Sequence, residues 1–213
     1  MKSGTRLVLL NVVLLIILVG GAIVGYYYYN RSVTYLSTNN ARVDGQQIMI
    51  SSMVPGRLSA WTADAGKKFA MSDVLGRVVS ATGGVDITMP QPATIVQQNA
   101  VVNMNVAPGV PLAYAYDLDR LWVSANIQET DFNAVKIGQA VDVYVDAFSG
   151  TALSGKVDRI GLAAASIFSL MPSSNATGNY TKVTQVIPIV VSLDGYRGLS
   201  LVPGMSATIR IHR

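Results

Sequence analysis

The chain has 213 residues, half of them hydrophobic, and a formal net charge of +4, a length that holds one or two small domains. No cysteine is present, which excludes disulfides, thiolate metal sites, cysteine nucleophiles and a lipid-modified N-terminal cysteine. The basic residues are scattered rather than gathered into a run or stripe, so the charge gives no reason to expect a nucleic-acid partner.

Residues 1–6 read as a short cytoplasmic N-terminus. From Leu7 to Tyr29 the chain is free of charge and as long as the ~20 residues that cross a ~30 Å hydrocarbon layer as a helix, so 7–29 is expected to be a transmembrane anchor in contact with membrane lipid. Asn11 is its one strongly polar residue, and Tyr26 to Tyr29 form half of an aromatic belt. Lys2 and Arg6 before the span against Arg31 after it favour a cytoplasmic N-terminus, with the bulk of the chain extracytoplasmic. A cleaved signal peptide is the other reading, because Gly20, Gly21 and Ala22 are small. An apolar core that continues into the tyrosines exceeds the ~7–15 residues usual for such a peptide.

Residues 30–46 read as a polar connector rich in Ser, Thr and Asn. The next unit, 47–116, looks duplicated. A shift of 37 positions lays Pro55 on Pro92, Leu58 on Ile95, Phe69 on Val106 and Leu75 on Leu112. Each half reads as short strands separated by turns. Gly66 falls on Asn103, the other residue that readily takes positive φ. If the halves interlock, these apolar residues share one core. Ser80 to Gly84 joins the halves. Prosthetic-group carriers place a lysine in that joining turn, and this sequence has none there.

Residues 117–213 read as a second β-unit. Asp117 and Asp119 flank Leu118 and are expected to set a turn and engage Arg120. Leu121 to Ile127, Ala140 to Asp146, part of Thr184 to Leu193, and Ala207 to Ile211 alternate as strands. Glu129 to Val135 fits one or two helical turns with Thr130 and Asp131 as cap candidates. Short strands at regular spacing predict a small closed or nearly closed barrel. The connection from Ala163 to Lys182 exceeds ordinary loop length. Its apolar residues Ile167, Phe168, Leu170 and Met171 are the candidate partner contact, or else a loop folded over the open end of the barrel. The Asn175-Ala176-Thr177 and Asn179-Tyr180-Thr181 patterns are too common to carry weight.

Little catalytic chemistry is on offer. His212, the single histidine, stands at the penultimate position, where solvent exposure is expected, and no phosphate-loop spacing surrounds Gly83-Gly84. No enzyme activity, cofactor or metal site is expected.

The sequence carries Pro-[Gly/Ala]-x-[Leu/Ile] strand starts at Pro55 and Pro92, the run Asp117 to Val123, the run Glu129 to Gln139, and the segments Phe168 to Pro172, Asn175 to Val183 and Leu201 to Met205. In this order these motifs resemble the HlyD-type membrane fusion proteins, and the EmrA-like adaptors among them. The resemblance implies a mainly β chain: an N-terminal transmembrane helix, a lipoyl/biotinyl-like β-sandwich (a barrel-sandwich hybrid), then a small β-barrel domain. Typical members carry a long coiled-coil hairpin between the two sandwich halves. Only Ser-Ala-Thr-Gly-Gly stands there in this chain, so docking to an outer-membrane channel does not carry over. The resemblance further implies a homo-oligomer and a cytoplasmic-membrane transporter as partner, of the major facilitator type or, second, an ABC exporter. The cargo class would be drugs or toxic small molecules. A cell-envelope scaffold or binding module without a transporter is the alternative.

Overall fold

The computed structural model describes residues 3–168 and 184–213, with side chains from residue 11 onward except 28–34 and Phe168. Helix α1 (Ser3–Thr34) is built from Leu, Val and Ile with no acidic residue in its first turn. Its side chains are apolar all round from Val12 to Val24 and exposed there. Among the described residues no helix is long and apolar enough to cross a membrane.

Strand β1 (Tyr35–Asp44) follows α1 without a break. It does not belong to a connector: the polar linker expected over 30–46 is replaced, from Tyr35 onward, by a strand of the barrel. The pattern hides it because a bulge lies between Thr38 and Ala41. Leu36 and Thr38 turn inward before the bulge, and Ala41 and Val43 after it, so the inward positions change from even to odd and no single alternation runs through the segment.

The next eight strands form the sandwich: β2 (Gln47–Ser51), β3 (Gly56–Trp61), β4 (Lys68–Phe69), β5 (Val74–Ser80), β6 (Gly83–Thr88), β7 (Ala93–Gln98), β8 (Asn105–Val106) and β9 (Pro111–Tyr116). They make two four-stranded sheets, β2-β9-β7-β4 and β6-β5-β3-β8. Shifting β3 and β4 by 37 residues gives the bounds of β7 and β8, and exchanging the halves strand for strand turns the first sheet's order into the second's. Each half places two strands in each sheet, so neither closes a core alone. Leu58, Ile95, Leu75, Leu112 and Val106 sit in that common core with Phe69 packed against it, as the shared-core expectation requires.

The symmetry extends to single hydrogen bonds. The Gly66 N–H donates to Ile95 O at 2.8 Å and the Asn103 N–H to Leu58 O at 2.7 Å. Trp61 Nε1 donates to Ala63 O at 3.1 Å and Gln98 Nε2 to Ala100 O at 3.0 Å. Gly66 and Asn103 have φ of 87° and 75°. A second pair that the sequence did not disclose, Ser72 and Gly109, has φ of 71° and 80°. Open space surrounds the Cβ position of Gly66, so a substitution there meets backbone strain alone. Gly66→Val is expected to cost about 1–2 kcal/mol and Gly66→Asn clearly less, read as the shift in urea midpoint. Equal losses would contradict the equivalence of the two turns.

Between the halves, Ser80 pairs with Gly83. The connection is therefore a tight turn of Ala81 and Thr82, with Gly83 at φ 127°.

Strands β10 (Trp122–Gln128), β11 (Ala140–Val145), β12 (Ala152–Ile160), β13 (Val186–Leu193) and β14 (Ser206–His212) close with β1 into a barrel of order β1-β10-β13-β12-β11-β14. Its interior is aliphatic, with Val43, Val123, Val143, Leu153, Val191, Ile209 and Ile211 fully buried. The expected helical turns after β10 are a 3₁₀ helix, Glu129–Ala134, preceded by Gln128 with no side-chain cap. Asp131 is no cap; its carboxylate pairs with Arg213 at 3.3 Å.

Candidate partner-contact surface

A closed antiparallel barrel has two rims, and the strand directions sort every loop onto one of them. The sandwich joins one rim, through residues 45–46 and 117–121. The 3₁₀ turn Asp146–Phe148 and the loop before β14 lie on that rim too. Helix α1 enters the other rim, which also carries the β10–β11 and β12–β13 connections and the end of β14.

At the sandwich rim, Asp117 sets the turn as expected. Its Oδ1 accepts the Asp119 N–H at 3.1 Å and its Oδ2 lies 3.6 Å from Arg120 Nε. Asp119 does not share that work: its carboxylate accepts from Lys68 Nζ and ties the linker to the sandwich. That hydrogen bond, with the charge of Asp119, raises the Lys68 pKa. The Leu121 N–H donates to Tyr196 Oη, and burial raises the Tyr196 pKa.

At the other rim, a 3₁₀ turn, Ala165–Phe168, follows β12 and is held by Ser166 Oγ donating to Gln185 Oε1. Of the four candidate contact residues, Ile167 is 70% exposed and Phe168 ends that turn. Leu170 and Met171 lie outside the described residues, as do the Asn175 and Asn179 patterns. Sequence reasoning did not single out three further apolar side chains on this rim: Phe132 at 40%, Ile137 at 68% and Leu162 at 102% exposure. Each stands alone between turn residues, and only the closure of the barrel brings the loops that carry them to one end.

His212 is half-exposed, and it is paired rather than free in solvent. Its Nε2 lies 2.9 Å from Asp142 Oδ2, and its ring meets Tyr35 edge-on at a centroid distance of 4.9 Å. Strand pairing of β14 with β1 and β11 brings these residues together. Among the described residues no group of three or more His, Cys, Asp or Glu could hold a metal ion.

The CusB-like β-barrel domain family matches residues 120–213. The solved structure of the periplasmic adaptor protein EmrA superposes with a TM-score of 0.56 at 10% identity, covering 85% of this chain and 99% of that one. The duplicated two-sheet sandwich followed by a barrel is thus a fold shared with that structure. The efflux system component YhbJ of Bacillus subtilis is 36% identical over 206 residues, 97% of this chain and 92% of YhbJ. The multidrug resistance protein EmrK of Escherichia coli is 37% identical over 110 residues, 51% of this chain but 28% of EmrK. The chain belongs to the EmrA-like membrane fusion proteins.

Proposed function

We propose that this chain is the membrane-anchored, extracytoplasmic adaptor subunit of an efflux transporter of the major facilitator type, exporting drugs or other toxic small molecules. The observation that carries the proposal is the near end-to-end match to an efflux system component. The charge-free stretch 7–29 supports α1 as the anchor. The tight Ala81-Thr82 turn between the sandwich halves supports an adaptor that works at one membrane and reaches no second one.

The partner contact in this reading is the apolar segment from Ile167 to Met171, whose first residue, Ile167, is exposed on the rim that α1 enters. A mild-detergent preparation of the tagged chain is expected to bring down a multi-span transporter; a preparation without one would favour an envelope scaffold. Replacing Ile167, Phe168 and Leu170 together by serine should leave folding and insertion intact while weakening that association and export-dependent resistance. Unfolding of the triple variant would make the segment barrel core. Normal binding and export would remove it from partner recognition.

A further inference from the structure

We infer that the rim of the barrel entered by α1 rests in the headgroup boundary of the same bilayer, with Phe132, Ile137 and Leu162 as the apolar contacts. The inference rests on the anchor reading above and adds a lipid surface to it. Three observations carry it. Single exposed apolar residues are ordinary, but these three project from two loops that barrel closure brings to one rim, and Leu162 and Ile137 are 102% and 68% exposed.

The second observation is the absence of slack. Helix α1 ends at Thr34 and β1 begins at Tyr35. With the span at 7–29, only residues 30–34 stand between the hydrocarbon and the barrel. At about 1.5 Å per helical residue they lift β1 about 8 Å. The headgroup layer is itself about 5–8 Å deep on each side, so loops on this rim lie at the depth where apolar side chains enter the headgroup boundary.

The third observation is the local charge. Asp131, beside Phe132, is held by Arg213 at 3.3 Å, and Lys136 precedes Ile137, a residue type that keeps its charged end in water while its stem follows an apolar surface. These two groups therefore do not oppose contact of the tips with lipid; Glu129, which opens the Phe132 turn, is exposed and carries the remaining charge of that loop.

The lack of native cysteine makes the test direct. Ile137→Cys and Leu162→Cys variants of the full chain, labelled with the environment-sensitive NBD fluorophore, are reconstituted alone into phosphatidylcholine vesicles with or without doxyl-labelled lipid. A Val13→Cys variant reports on α1, and Ser149→Cys on the opposite rim. Blue-shifted emission quenched about twofold or more by doxyl lipid is expected at 137, 162 and 13, with none at 149. Quenching at 13 but not at 137 and 162 would overturn the inference and leave the anchor standing. Blue-shifted emission at 137 and 162 without quenching would mean that protein covers them, which also overturns it. No quenching at 13 would remove the anchor, and the inference with it.

Discussion

Leu75→Ala and Leu112→Ala are each expected to lower the free energy of unfolding by about 2–5 kcal/mol, measured from urea denaturation of the reconstituted chain. Both side chains are fully buried, and the 37-residue shift makes them the same position in two halves. Each carbonyl holds a matching neighbour: the Thr62 N–H donates to Leu75 O and the Asn99 N–H to Leu112 O, both at 2.8 Å. Because each half supplies strands to both sheets, a cavity in one half loosens both, and the two substitutions should cost similar amounts. Surface-like losses below about 0.5 kcal/mol at either site would contradict a common core.

The second large effect concerns α1. Replacing Val13 and Leu14 by aspartate should prevent stable membrane association, because each charge near the middle of a span costs about 2.5–3.5 kcal/mol on insertion scales. Carbonate extraction reads this directly, with the parent chain expected in the membrane pellet and the double variant in the supernatant. Retention of the double variant in the pellet would mean that something other than α1 holds the chain at the membrane.

The interlocked sandwich was legible in the sequence because its two copies report on each other. The match of Leu58 to Ile95, and of Gly66 to Asn103, locates strands and positive-φ turns together, which no single half would do. Strand β1 was illegible for a local reason: the bulge at Asn39 and Asn40 breaks the alternation that identifies a strand. Strand β12 was missed for a related one. Its inward positions include Gly155, where an added Cβ would lie 2.3 Å from Ser192 O, and a second bulge falls between Val157 and Arg159. An inward glycine and a shifted register leave Leu153 and Val157 in one phase and Ile160 out of it, too little for an alternation.

The surface was less legible than the fold. Ile167 stood out because Phe168, Leu170 and Met171 follow it in sequence. Phe132, Ile137 and Leu162 are scattered among turn residues, and what unites them is strand direction in a closed barrel. The pairing of His212 with Asp142 was hidden in the same way, since it depends on β14 lying beside β11.

The central claim is that the β-body stands outside the cytoplasm, held by α1. Ser149→Cys, on the exposed turn after Asp146–Phe148, tests it in intact cells with a membrane-impermeant thiol reagent, and no native thiol in the chain competes. Labelling of Ser149→Cys before lysis is the expected result; labelling only after lysis would place the barrel in the cytoplasm and contradict the account.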